Sequence, residues 1–221
     1  RYKTSIIYLC LLTNVFMLGA SVATGRPESV LLLLLVGLLG FFYSTPVSVG
    51  DSQLNIRLKN IFILKNLTSG VGWISLVVFY PAIHMGIAIR AGHWLAAGVM
   101  LAAVCIVELI WDIRDQEGDK LAGVRSVPVL KGFKRTRRLI LLINSLSALG
   151  VVVAYNMGWV PAFWLFILLN NLLVFIWISK GESWLTDRGR SHILVGLQTL
   201  LLILLGWGAG NLVLLQNLYF N

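Results

Sequence analysis

Apolar residues run along this chain in seven stretches, about 5–24, 30–47, 67–89, 94–111, 139–157, 159–178 and 193–215, with polar residues gathered between them. Runs such as Ser29–Val49 and His192–Gln216 are long enough to cross a hydrocarbon core of roughly 30 Å as helices. Short connections follow the first, third and fifth stretches: Gly25–Ser29, Arg90–His93 and the turn around Gly158. Long polar ones follow the second, fourth and sixth: Ser48–Asn66, Asp112–Arg138 and Ser179–His192. Long and short loops therefore alternate between two sides of a membrane. The pattern predicts an all-α, polytopic transmembrane helical bundle of about seven spans, with residues 1–221 forming a single domain.

Charge follows the same alternation. Sixteen of the 18 lysines and arginines fall on the long-loop side, and only Arg26 and Arg90 on the other. Positively charged loops stay in the cytoplasm, so the long loops and the N-terminus are expected to be cytoplasmic and the C-terminus to lie on the opposite side. That orientation disfavours a seven-helix receptor, whose N-terminus is outside. It also explains the net charge of +9 as topology, leaving nucleic acid no place among the partners. Composition agrees: 58% hydrophobic, 12% charged, mean hydropathy +0.85, about half the charged fraction of a soluble domain.

Most polar groups inside the stretches have structural explanations. Pro46 and Pro81 are expected to kink or end helices, and glycines such as Gly19, Gly37, Gly40 and Gly98 to serve close helix packing. Interhelical hydrogen bonding accounts for His84 and Asn170–Asn171 better than a ligand role. Cys10 and Cys105 sit in apolar runs without metal-ligand spacing and read as small buried hydrophobes. Tyr2, Trp94, Trp111 and Trp159 read as interfacial anchors. Glu108 is the exception, because an ionisable group in a span is costly and faces a cavity or a partner.

Glu108 opens the stretch ELIWDIRDQEGDKLAGVRSVPVLKG, which ends at Gly132. Glu108, Asp112, Asp115 and Asp119 follow one another at steps of four, three and four. On a helix continued to Asp119 all four carboxylates would share one face. Like charges so placed repel, and a divalent cation or a cation-bound phosphate would relieve the repulsion. Arg114, Lys120 and Arg125 lie beside them, and Arg57, Lys59, Lys65 and Asn66 lie in and after the preceding long loop. Acidic and basic groups together at an apolar boundary suit a diphosphate on a hydrocarbon tail. Carboxylates hold Mg²⁺, and Mg²⁺ with Lys and Arg holds the diphosphate. Zinc is disfavoured, since no His or Cys cluster accompanies the acids, and no nucleophile motif, Walker loop or dinucleotide fingerprint is present. The alternative is a solvated amphipathic loop whose acids pair with neighbouring Arg and Lys, and the spacing alone leaves both readings open.

The run Asp112-Ile-Arg-Asp115-Gln-Glu-Gly118-Asp119-Lys120, followed by Gly123-Val-Arg125-Ser-Val-Pro128 and Gly132, resembles the second aspartate-rich motif of the UbiA-type intramembrane prenyltransferases. Upstream, Phe42-Tyr43-Ser44-Thr-Pro46 with Leu58-Lys59 and Lys65-Asn66 resembles the segment that supplies a tyrosine and basic residues to the diphosphate in that family. The family often has a lysine four residues after that tyrosine; here that position is Val47, so Arg57 or Lys59 would take its role. Family members have nine spans and a first aspartate motif after the second span. The seven stretches here match the third to ninth, so two helices and the first motif are expected upstream of Arg1, unless the chain is a degenerate paralogue.

The resemblance implies transfer of a polyprenyl group from its diphosphate to a membrane-associated acceptor. It assigns Asp112, Asp115 and Asp119 to Mg²⁺ and catalysis. Tyr43, Arg57, Lys59, Lys65, Asn66, Arg114, Lys120 and Arg125 would serve substrate binding. A non-catalytic paralogue that binds isoprenoid lipid or scaffolds partners is the alternative. A small transporter would call for inverted repeats with broken helices, and no convincing repeat is seen. The basic run Lys131–Arg138 is read as the positive-inside anchor of the fifth span rather than a lipid-binding site.

Overall fold

A computed structural model describes residues 2–44, 47–48, 55–56, 64–201 and 204. Among these the fold is an all-α helical membrane bundle, with one minimal exception. Two two-residue strands, β1 (Val47–Ser48) and β2 (Asn55–Ile56), pair antiparallel in the long loop after the second helix. The helices in chain order are α1 (Tyr2–Ala23), α2 (Pro27–Ser44), α3 (Leu64–Ile74), α4 (Tyr80–His84), α5 (Ala91–Arg114), α6 (Gln116–Leu121), α7 (Val127–Asn156), α8 (Ile167–Ser179), α9 (Glu182–Leu185) and α10 (188–201).

Among the described residues four helical runs are long and apolar enough to cross a membrane: Lys65–His84, Ala91–Arg114, Val127–Asn156 and Ala162–Ser179. They coincide with the third to sixth expected stretches. The apolar parts of α1 and α2, Leu12–Ala23 and Pro27–Tyr43, are shorter. The seventh stretch extends beyond the described residues, and so does Pro46.

Between α3 and α4 the helix widens into a π segment, Ser75–Phe79, where the Tyr80 N–H donates to the Ser75 carbonyl five residues back. Pro81 follows at the start of α4. A proline has no N–H to give its own helical bond, and the π segment lies just before it. The fifth span, expected at 139–157, is the second part of α7. Its basic preamble is helical too, and Gly132, at φ +76°, separates the two parts. That φ lies in the left-handed region where a side chain would be strained.

α5 is the axis of the bundle, packed against α3 on one side and α7 on the other, while α7 packs in turn on α8. The main core joins Ile106, Leu109, Ile110 and Ile113 of α5 to Ile140 of α7, Val174 and Ile178 of α8, Leu185 of α9 and Leu194 of α10. Around it, large apolar side chains such as Phe16, Leu35, Trp73, Leu146 and Phe175 face outward. Such an apolar exterior suits lipid and would be unfavourable in water. Asn144 of α7 and Asn171 of α8 each donate a side-chain N–H to the other's backbone carbonyl, both at 2.9 Å. This is the interhelical bonding expected for Asn171, and it ties α7 to α8; of the other two residues expected to bond this way, Asn170 Oδ1 and His84 Nδ1 are buried without a hydrogen-bond partner among the described residues.

Candidate functional site

The site is built on the antiparallel contact of α3 with α5. The tip of the Leu101 side chain of α5 packs directly over Gly70 of α3, where a Cβ would meet it. Stepping along the pair, Lys65 Nζ meets Asp112 Oδ1 at 2.6 Å, and Ser69 Oγ donates to Glu108 Oε1 at 3.1 Å. Four residues forward on one helix answer four residues back on the other, as antiparallel helices require. Asp112 is only 3% exposed and Lys65 27%. A carboxylate so buried demands a cation, and the lysine ammonium supplies it.

The four carboxylates do not continue down one helical face, as an unbroken helix would have made them do. α5 ends at Arg114, Asp115 leaves the helical path at φ −95°, ψ 8°, and α6 restarts at Gln116. Arg114 clasps Asp115 in a two-toothed contact, Nε to Oδ1 at 2.8 Å and a terminal nitrogen to Oδ2 at 2.6 Å. This single break divides the acidic stretch. Glu108 and Asp112 face α3, whereas Asp115, Glu117 and Asp119 face a cleft of about 640 Å³.

The cleft is lined by residues of both charge signs: Asp115, Glu117 and Asp119 with Gly118, Arg114 beside them, and Arg188 and His192 of α10. The Arg114 fork holds the Asp115 carboxyl below the usual carboxylate range against the opposing effect of partial burial, and the Arg188 charge pulls the same way. Asp119 Oδ2 is buried without a hydrogen-bond partner, a costly position for an anionic oxygen. A second, mostly apolar groove of about 280 Å³ runs between α2 and α3, with Tyr43, Thr68, Ser69 and Trp73 among its lining residues. Ser69 thus joins the groove to Glu108.

Of the residues singled out from sequence, Arg114, Asp115 and Asp119 come together at the cleft, Tyr43 lines the groove, and Lys65 and Asp112 form the buried pair between them. Asn66 is buried beside Lys65. Lys120 on α6 and Arg125 in the turn before α7 are exposed and line neither cavity. Arg57 and Lys59 lie outside the described residues. Sequence reasoning passed over Ser69, Arg188 and His192. The last two stand four residues apart just after Asp187, whose side chain caps α10 by accepting from the Arg190 N–H at 2.9 Å. That spacing at a capped helix start was the available signal.

Among the described residues no three of His, Cys, Asp and Glu gather as a ready cage for a metal ion. Mg²⁺ does not ask for one: it is held by one or two carboxylates and completes its shell with water and substrate phosphate. The all-oxygen donors Asp115 and Asp119, and the unpartnered Asp119 Oδ2, fit that demand.

The UbiA prenyltransferase family model matches residues 2–191 of the chain. No curated protein and no solved structure matches it.

Proposed function

The chain belongs to the UbiA prenyltransferase family, a family of membrane prenyltransferases, and on that premise we propose that it transfers a polyprenyl group from a polyprenyl diphosphate to a membrane-associated acceptor, with Mg²⁺. The observation that carries this reading is the cleft at the polar end of α5. There Asp115 and Asp119 share a cleft with Arg114, Arg188 and His192, and an apolar groove is lined by Tyr43 and Ser69, the latter bonded to Glu108 of the same helix. A lipid diphosphate needs both charge signs at its head and hydrocarbon along its tail.

In this reading Asp115 and Asp119 hold Mg²⁺. The bound ion supplies electrostatic stabilisation of the leaving diphosphate. Arg114 keeps Asp115 ionised and fixed in direction. Lys65, paired with Asp112, brings a cation close to both cavities, and Arg57 and Lys59, outside the described residues, are proposed from the sequence as further basic partners of the diphosphate. Tyr43 and Asn66 orient the substrate at the groove's polar end, while exposed Lys120 and Arg125 draw the anion to the surface.

The allylic C–O bond breaks with its electron pair leaving on the diphosphate oxygen. The acceptor's electron pair then forms the new bond to the allylic carbon, and the acceptor sheds a proton. Glu108, held by Ser69 at the groove, receives it. The apolar helices keep water from the allylic cation. The long loops and the cleft are assigned to the cytoplasmic side from the distribution of Lys and Arg.

The test is prenyl transfer by the full-length protein in lipid nanodiscs, with products identified by mass spectrometry. Several prenyl diphosphates and acceptors are offered in turn. Turnover that depends on Mg²⁺ and is abolished in Asp115→Ala is the expected result; retained Mg²⁺-dependent turnover in that variant would sink the assignment.

A further inference from the structure

Arg188 and His192 belong to the last described helix, far in sequence from the aspartate-rich stretch, yet both line its cleft. The placement of α10 is fixed from its other side. Ser191, Leu194 and Gln198, at helical spacing, are buried, Leu194 within the main core, and Asp187 caps the helix start. With that face held inward, Arg188 and His192 are left one turn apart at the open cleft.

Their neighbour Arg190 makes an instructive contrast. Its guanidinium lies over the Trp184 ring at 5.2 Å, and Trp184 packs edge-on against Trp177 at 4.3 Å, so Arg190 has a partner within the protein. The Arg188 guanidinium makes no hydrogen bond or ion pair among the described residues, though its backbone carbonyl accepts from Ser191 Oγ at 3.0 Å; its charge acts on Asp115. Arg114, the other guanidinium at the cleft, is already engaged by Asp115. A guanidinium and an imidazole whose side chains have no partner among the described residues, in a cleft they share with carboxylates, form an anion-binding pair that the aspartates cannot satisfy once they hold a metal ion.

We propose that Arg188 and His192 bind the diphosphate on the side away from Asp115 and Asp119, donating N–H bonds to its phosphate oxygens, so that α10 forms part of the leaving-group site. This inference rests on the proposed function, since it needs a diphosphate in the cleft. As the allylic C–O bond breaks, the electron pair and its charge move onto an oxygen that these donors face, and the free pyrophosphate product is retained by the same contacts until it leaves.

The probe is inorganic pyrophosphate, used as a competitive inhibitor of the full-length enzyme in nanodiscs alongside KM and kcat for the prenyl diphosphate. Losing a charge-assisted hydrogen bond weakens binding by about ten- to a hundredfold. Arg188→Gln is therefore expected to raise both the pyrophosphate Ki and the prenyl diphosphate KM by that factor. Arg188→Lys should recover much of the loss, and His192→Gln should raise both constants by a smaller factor. Arg190→Gln removes the same charge from the same turn and should leave both constants within about twofold, and a thermal melt of each variant separates misfolding from lost binding.

Unchanged Ki and KM in Arg188→Gln, with Asp115→Ala still inactive, overturns this inference and leaves the proposed function standing. Equal effects of Arg188→Gln and Arg190→Gln also overturn it, reducing the pair to general surface charge. Full activity in Asp115→Ala brings down the proposed function itself. If Arg188→Gln fails to fold, the comparison of Arg188→Lys and His192→Gln with the wild type decides the matter by the same two constants.

Discussion

Glu108 and Asp112 have their partners inside the protein, Ser69 and Lys65 of α3, whereas Asp115 and Asp119, one turn further along the same stretch, stand at an open cleft. The four residues are similar in chemistry and evenly spaced, yet their surroundings make two different demands. In the inner half the acids are satisfied by the fold itself: buried Asp112 is neutralised by Lys65, because desolvating an unpaired carboxylate is costly, and half-buried Glu108 accepts a hydrogen bond from Ser69. In the cleft half the acids are partly hydrated and only partly paired, with Asp119 Oδ2 left without a partner. The first arrangement holds helices together; the second is suited to holding something that arrives. A single residue off the helical path, Asp115, separates them.

Substitutions can break this contrast from either side. The largest effect is expected on catalysis from the cleft half. Asp119→Ala should cut prenyl transfer by at least about a hundredfold, as removing a group that stabilises developing charge does. Its melting temperature should stay near that of the wild type, because the residue stabilises little in the fold. Next in size is the inner half. Lys65→Met should cost about 2–3 kcal/mol, below the full cost of breaking a buried ion pair because the lysine keeps some exposure. The double variant Lys65→Met/Asp112→Leu should recover most of it, with both read from denaturation in detergent or bilayer. If the double variant is no more stable than the single one, Asp112 is not a buried charge in need of a partner.

A smaller change is expected from Ser69→Ala, which deletes the neutral donor to Glu108 and should cost about 1–2 kcal/mol, measured the same way. The smallest concerns Arg114 and Asp115. Because the Asp115 carboxyl is held below its ordinary range, folding favours its charged form. The stabilisation is fully present above the ordinary aspartate range and is lost as the pH falls through the lowered value. With Asp115 40% exposed, this amounts to less than about 1 kcal/mol. The difference in melting temperature between wild type and Asp115→Asn should stay constant from neutral pH down to about pH 5 and close only in stronger acid. A difference that closes near neutrality would contradict the pairing.

Much of the bundle was legible because lipid imposes one rule on every span. A stretch of apolar residues long enough to cross must be helical, and the third to sixth stretches are helices where the pattern put them. Asn171 of α8 found its interhelical partner in Asn144, whereas its neighbour Asn170, equally apolar in context, did not, because only one of two adjacent positions can face α7. What stayed hidden depends on contacts between distant segments or on a choice that local sequence leaves free. Nothing in Ile113–Gln116 contains a glycine or proline to announce the break at Asp115; the Arg114 clasp and the packing of α5 decide it. The helical start of α7 at Val127 was obscured because Lys131–Arg138 reads as a polar loop by hydropathy, though its residues are good helix formers. Arg188 and His192 were counted only as loop charge and an incidental polar residue, because their facing the cleft is a property of how α10 packs.

The claim that the cleft half of the acidic stretch serves a metal-bound diphosphate is tested most directly by a Mg²⁺ titration of prenyl transfer, comparing the full-length wild type with Asp115→Asn and Glu108→Gln. The account predicts that Asp115→Asn needs at least about tenfold more Mg²⁺ for half-maximal rate, the loss of one charged ligand contact. Glu108→Gln should lower the rate without moving the Mg²⁺ midpoint. An unchanged midpoint in Asp115→Asn, or the larger shift in Glu108→Gln, would contradict it.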